Sequence, residues 1–92
     1  MILSFKHRGL RRLYEDDDRR GLNAEHVAKI TTILARLDVA MQPEDMDVVG
    51  LRFHALKGDL AGFWSVTVRA NWRIIFRFEG VNATDVDYLD YH

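Results

Sequence analysis

Hydrophobic positions repeat with two different periods along this chain, one in each half. Up to about residue 42, apolar residues recur at steps of three and four, the period of an α-helix with one buried face. From residue 64 onward, apolar and polar residues alternate, the period of a β-strand with one buried face. The change of period predicts a helical half followed by a sheet.

The helical half contains three predicted elements. Residues 2–5 are apolar and predict a short first strand, and helical spacing of leucines predicts a helix over residues 7–15. Gly21 suits the stop or turn after that helix. The second helix is predicted to begin at Asn23, because a side-chain amide at the N-cap accepts a bond from a free backbone N–H. Its apolar stripe comprises Val27, Ile30, Leu34, Leu37 and Met41, and Pro43 ends it.

The sheet half is predicted to be a meander of antiparallel strands. One strand begins at Trp64, and a turn at residues 70–71 leads into a second strand from Trp72. We expect this hairpin to have one packed face and one polar, basic face. A turn at residues 80–82 precedes a last strand over residues 84–91. The predicted fold class is therefore α+β, an antiparallel sheet with the N-terminal helices packed on one face, in a single domain over residues 1–92.

Composition and charge exclude several classes of protein for this chain. The 92 residues are 48% hydrophobic, contain no cysteine and carry a formal net charge of −1. The lack of cysteine excludes disulfides and thiolate metal sites. The apolar runs are too short for a signal peptide or a transmembrane helix, so the cytoplasm is the expected location. The basic residues of the sheet half predict only a local basic patch: Arg52, Lys57, Arg69, Arg73 and Arg77.

The four histidines do not have the spacing of a metal site. His7 and His26 are predicted to be surface residues. His54 and His92 are candidates for proton transfer in RNA cleavage without a metal, which requires a base for the 2′-OH, an acid for the 5′-oxygen and cations for the phosphate. Asp90 shares its strand parity with core-facing residues, so either the strand bulges near Leu89 or the site lies on the rim.

Two longer strings in the sequence resemble a known family. The string HALKGDLAGFWSVTVRANWRIIFRF with the ending DYLDYH, together with ILSFKHRGLRRLYE at the start, resembles the HigB toxins of the RelE/ParE superfamily. The resemblance covers essentially the whole chain. It implies the RelE-like microbial ribonuclease fold and a toxin that cleaves mRNA in the ribosomal A site without a cofactor.

The resemblance also implies site residues and a partner. The implied catalytic positions are His54, Asp90, Tyr91 and His92, with Lys57 and Arg73 binding phosphate. By role, the histidines transfer protons, Asp90 orients or activates one of them, and Tyr91 stacks on a base. The implied partner is a HigA-type helix-turn-helix antitoxin that also represses its own operon. Two alternatives remain open, a ParE-like inhibitor of DNA gyrase and a weak toxin that acts as corepressor with its antitoxin.

Overall fold

The computed structural model describes residues 1–91 of the chain, and His92 lies outside the described residues. Two helices, α1 (Arg8–Asp16) and α2 (Val27–Val39), precede four strands: β1 (His54–Ala55), β2 (Trp64–Arg69), β3 (Trp72–Glu79) and β4 (Asn82–Asp90). Short 3₁₀ turns cover Ala24–His26, Pro43–Met46 and Gly58–Leu60. The strands form one sheet in the order β1-β2-β3-β4, and all three pairs are antiparallel. The predicted α+β class and the hairpin are confirmed.

The core lies between the helices and one face of the sheet. On α2 the buried residues follow the helical period, and on β3 the fully buried Ile74 and Phe76 follow the strand period. Both sets belong to one contiguous apolar cluster that also includes residues of α1 and β4. No helix within residues 1–91 is long and apolar enough to cross a bilayer.

Residues 2–5 do not form the predicted strand. They make two isolated parallel bridges to β4, at Ile2–Ala83 and Phe5–Val86. Backbone bonds of 2.7 Å from Leu3 N to Ala83 O and 2.8 Å from Lys6 N to Val86 O hold this segment against the strand. The first half of β4 therefore has a backbone neighbour on each side.

Helix α1 ends at Asp16, one residue beyond the prediction, and Gly21 lies in the turn that follows. Asp17 takes the left-handed conformation (φ 53°), and its N–H donates to Leu13 O, so it closes the helix in the place that glycine usually occupies. Gly21 instead packs against Gly9, where an added Cβ would lie 2.7 Å from Gly21 O. The two glycines allow the loop between the helices to cross α1 at van der Waals distance.

Helix α2 is shorter than its apolar stripe predicts. Asn23 accepts a bond from Glu25 N as expected, but it caps the 3₁₀ turn that leads into α2. The helix ends at Val39, and Pro43 begins the next 3₁₀ turn instead of stopping α2. Met41 therefore leaves the predicted stripe and is 64% exposed.

A bulge interrupts the pairing of β3 with β4. The register shifts between Ile75, which pairs with Asp87, and Arg77, which pairs with Thr84. The extra residue falls on β4, where Asp85 has a φ of 53°. The bulge lets both Ala83 and Val86 face the core although they are three positions apart, an odd step that would place them on opposite faces of a regular strand.

Candidate functional site

The face of the sheet opposite the helices carries the candidate chemistry, and we call it the open face. Directly paired residues of neighbouring strands point to the same side of a sheet. His54 pairs with Ser65, which pairs with Ile75, so these three share a row across the open face. Thr67 and Arg73 form the next row along the same strands. His54 on β1 and Arg73 on β3 therefore lie in neighbouring rows of the open face. The two rows are about 6.7 Å apart along the strand direction.

The alternation predicted that the open face would be polar, but part of it is apolar and buried. Ser65 and Ile75 are both buried, and so is Leu56, which follows β1 and bonds through its N–H to Phe63 O at 2.9 Å. Ile75 and Leu56 lie outside the main core cluster. The open face therefore includes buried apolar positions that do not belong to that cluster.

Arg73 occupies the open face as its alternation with Trp72 and Ile74 predicts. One of its terminal nitrogens, Nη1, donates to Ala70 O at 2.6 Å, which ties the guanidinium to the turn between β2 and β3. Its Nε is buried without a hydrogen-bond partner, and so are Ser65 Oγ and Thr67 Oγ1. Buried polar groups are nearly always paired, so three unpaired ones call for a partner that the protein alone does not supply. These three atoms lie in adjacent rows of the open face.

His54 and Lys57 lie at the β1 edge of the open face, and both are exposed. The Nδ1 of His54 is 3.1 Å from Arg52 O. A carbonyl only accepts, so this contact places the proton of the neutral ring on Nδ1 and leaves Nε2 as an acceptor. An imidazole in this tautomer is ready to take a proton from a hydroxyl group.

Asp90 and Tyr91, the described candidates at the other end of the chain, lie on the rim. The pairing from Trp72–Asp90 to Ile75–Asp87 is regular, so the bulge is at Asp85 and not near Leu89. Asp90 is exposed at the end of β4, on the same side as Trp72, and the half-buried Tyr91 donates its backbone N–H to Asn71 O at 2.8 Å. The register thus separates Asp90 from His54 by three strand spacings, about 14 Å, and also by three residues along the strands, about 10 Å.

The remaining two histidines are not surface residues, contrary to the prediction. His26 is buried, and its Nδ1 is 2.7 Å from the hydroxyl oxygen of Tyr88. His7 is half-buried, accepts a bond from Leu10 N as the cap of α1, and meets the Tyr88 ring edge-on. Trp72 stacks on Tyr88 at 4.8 Å between centroids. The two histidines therefore join the helices to β4 through one aromatic ring.

A hydrogen bond joins the two helices. Asp38 lies on α2, where it accepts a bond of 2.6 Å from the hydroxyl of Tyr14 on α1. This bond, together with desolvation, raises the pKa of Tyr14 to about 12. Within residues 1–91, no three histidine or carboxylate side chains gather in a group that could hold a metal ion.

Sequence reasoning missed four residues of the open face. Ser65 and Thr67 look like ordinary polar positions of an alternating strand, and only the three-dimensional packing shows that their hydroxyls are buried. Phe63 and Lys6 are brought together by the pairing of distant segments, with Lys6 Nζ 5.7 Å from the centre of the Phe63 ring. Of these four residues, only Phe63 has a signal in the sequence, because it is an aromatic residue directly before the alternating strand.

Both the fold and the sequence of this chain are similar to those of known toxins. The fold matches a YoeB/ParE toxin from Agrobacterium tumefaciens with a TM-score of 0.55, over 100% of this chain and 99% of that one, at 22% identity. The architecture is thus a YoeB/ParE-like fold. The family model for HigB, a RelE-like toxin of type II toxin–antitoxin systems, matches residues 3–92.

Two relatives extend over the whole chain. An endoribonuclease HigB of Proteus vulgaris is 44% identical over 92 residues and covers 100% of both chains. A toxin HigB-1 of Vibrio cholerae serotype O1 is 35% identical over 94 residues, covering 100% of this chain and 98% of the relative. The chain belongs to the HigB-like toxin family, and membership in a type II system implies a cognate antitoxin.

Proposed function

We propose that this toxin is an endoribonuclease that cleaves mRNA in the A site of the ribosome and thereby inhibits translation in the cytoplasm. The observation that carries the proposal is the pair of adjacent rows on the open face, one with His54 and one with Arg73, in a HigB-like chain. The name of the Proteus vulgaris relative, an endoribonuclease, supports the same reaction class.

The proposed reaction is attack of a ribose 2′-OH on the neighbouring phosphorus. A base removes the 2′-OH proton, the 2′-oxygen bonds to phosphorus, and the 5′-oxygen leaves with a proton from an acid. The products are a 2′,3′-cyclic phosphate and a 5′-hydroxyl. The hydrogen bonding of His54 suits the role of base, because its Nδ1 is bonded to a carbonyl and its Nε2 remains an acceptor.

The other proposed residues act on the phosphate and the leaving group. Arg73 would stabilise the charge that grows on phosphate, and its unpaired Nε is a donor that such a ligand could satisfy. Lys57 would supply a second cation from the β1 edge. Asp90, Tyr91 and His92 would act from the rim at the end of β4, with His92 as acid, Asp90 orienting it and Tyr91 stacking on a base.

The proposed reaction needs no metal ion or cofactor, and the proposed partner is a HigA-type helix-turn-helix antitoxin. Attack by the 2′-OH replaces the metal-activated water of other nucleases, so the ribose itself supplies the nucleophile. The antitoxin would neutralise the toxin and bind operator DNA, with the toxin reaching that DNA only through its partner.

End-group analysis on programmed ribosomes tests this function. Wild-type toxin should cut mRNA at the A-site codon and leave a 2′,3′-cyclic phosphate, and a single 2′-deoxy substitution at the cut position should abolish cleavage. Intact mRNA together with inhibited DNA gyrase would instead support the ParE-like alternative. Intact mRNA without inhibited gyrase, but with tighter operator binding by the antitoxin, would support the corepressor alternative.

A further inference from the structure

Phe63 differs from the other phenylalanines of this protein in what it contacts. All five lie within residues 1–91, and Phe5, Phe53, Phe76 and Phe78 belong to the main core cluster or pack against it. Phe63 is half-buried and does neither. A large apolar ring that is outside the core and partly exposed costs free energy in water unless it serves another contact.

The register places Phe63 on the open face. Trp64 pairs with Phe76, so one step further along the antiparallel strands Phe63 stands opposite Arg77. The guanidinium carbon of Arg77 is 5.7 Å from the ring centre, and Lys6 Nζ is also 5.7 Å from it. Two cations from separate segments therefore flank one half-exposed aromatic ring.

One carboxylate accompanies these cations. Arg77 donates to Asp85 Oδ2 from Nε at 3.0 Å and from Nη2 at 2.7 Å, with its side chain still 44% exposed. Lys6 is exposed and takes no part in the ion pairs found within residues 1–91. The cluster of Lys6, Phe63, Arg77 and Asp85 thus keeps a formal charge of +1.

We infer that this cluster is a nucleotide-binding subsite, in which Phe63 stacks on a base and Lys6 and Arg77 contact the adjoining phosphate. An aromatic ring beside cations is the arrangement by which proteins bind single strands. A base stacks more strongly on such a ring than an exposed cation does, so a nucleotide can displace Lys6 from the ring onto its own phosphate.

The inference rests on the proposed function and adds a position to it. Phe63 is two residues from Ser65, the strand partner of His54, which corresponds to about 6.7 Å. A base on Phe63 would therefore be one or two nucleotides from the bond cut beside His54. Arg73 lies on the opposite side of the His54 row, so the RNA would run along β3 from Arg73 to Arg77.

Single-turnover cleavage on programmed ribosomes tests this subsite. Phe63→Leu should raise the half-saturating toxin concentration about tenfold, because stacking on one base is lost. The maximal rate should stay within about twofold, because the ring does not touch the reacting atoms. Phe63→Trp should bind as well as wild type or better. Tyr14→Leu, which removes an exposed ring from the helical layer, is the matched control. It should leave the half-saturating concentration and the maximal rate unchanged, although the lost bond to Asp38 should lower its melting temperature.

A second variant keeps the test decisive if Phe63→Leu unfolds, which melting curves of all variants will show. Lys6→Gln should reduce by about one the slope of log affinity against log salt, as expected for a lost phosphate contact. The base on Phe63 comes either from mRNA or from ribosomal RNA. An abasic site in the mRNA separates these sources. If the stacked base belongs to mRNA, the abasic site and Phe63→Leu remove the same contact, so their combined loss of affinity is smaller than the sum of the two. If the base belongs to ribosomal RNA, the two losses add.

The inference and the proposed function fail separately. Wild-type cleavage in the same assay bears on the function alone. Unchanged saturation by Phe63→Leu with an unchanged salt slope for Lys6→Gln would overturn the subsite while leaving the nuclease intact. An equal loss in Phe63→Leu and Phe63→Trp, with melting temperatures lowered in both, would also overturn it by showing that the ring only packs.

Discussion

At the scale of single residues, the unpaired donor of Arg73 makes the sharpest prediction about activity. Arg73→Ala should lower the rate of cleavage by about 10²–10³, the usual loss for one transition-state contact to the phosphate. The fold should persist because Arg73 lies on the open face and outside the core cluster. Arg11→Ala, on the exposed side of α1, is the matched control. An unchanged rate of mRNA cleavage by Arg73→Ala would remove this residue from the site.

Tyr88 makes a prediction about stability. Burial raises the pKa of its hydroxyl above the ordinary 10.0, so the folded state holds this proton more tightly than the unfolded state. The stabilisation is complete below pH 10 and is lost as the pH rises through 10 toward the raised value. We expect the free energy of unfolding to fall in that window, measured by urea denaturation at a series of pH values.

Tyr88→Phe is the control for that prediction. It should remove the contribution of Tyr88 to the alkaline loss, and at neutral pH it should destabilise by about 1–3 kcal/mol because His26 Nδ1 loses its partner. A wild-type protein whose stability is flat across pH 9–11 would contradict the raised pKa.

The sequence predicted the position of Arg73 but not the burial of His7 and His26. Arg73 lies between two apolar residues of a strand, and alternation alone determines its face. His26 has no such local signal, because its burial depends on contacts with Tyr88 and Trp72, more than 40 positions away along the chain. Local patterns therefore predicted side-chain direction, whereas contacts between distant segments decided which polar groups are buried.

At the scale of elements, the contact between α1 and the loop before α2 depends on two glycines. Gly9→Ala would place a methyl group 2.7 Å from Gly21 O, and backbone cannot move aside as a flexible side chain can. We expect a loss of about 1–3 kcal/mol from overpacking, in spite of the gain in helix propensity from alanine. Thermal unfolding will measure it, with Arg12→Ala on the exposed face of α1 as control. A more stable Gly9→Ala protein would show that the loop is free to move.

The elements themselves were predicted well where one period dominates. The hairpin and both helices follow from alternation or helical spacing, and their observed bounds differ from the predictions by a few residues. The bulge at Asp85 was not predicted, because a left-handed aspartate leaves no pattern in the hydrophobic positions. Residues 2–5 were wrongly predicted as a strand, since their apolar character reflects packing against β4 and only two bridges form.

At the scale of the whole molecule, the net charge of −1 predicts how the toxin selects its substrate. Non-specific binding of RNA depends on many cation–phosphate contacts, and the 13 basic residues of this chain are outnumbered by 14 acidic ones. We expect slow cleavage of free mRNA and fast cleavage of the same mRNA on programmed ribosomes, compared at equal toxin concentration and physiological salt. Rapid cutting of free RNA under those conditions would contradict this prediction.

The contact of residues 2–5 with β4 has a consequence for the synthesis of the protein. Ser4 and Thr84 share a hydrogen bond of 2.7 Å across 80 positions of the chain, and β4 supplies Ala83, Val86 and Tyr88 to the core. Closing so long a loop is slow, and it must wait until the last strand has been translated and has left the exit tunnel. We therefore expect residues 2–5 to stay without their β4 partner through most of synthesis, so the segment made first is among the last to reach its native contacts.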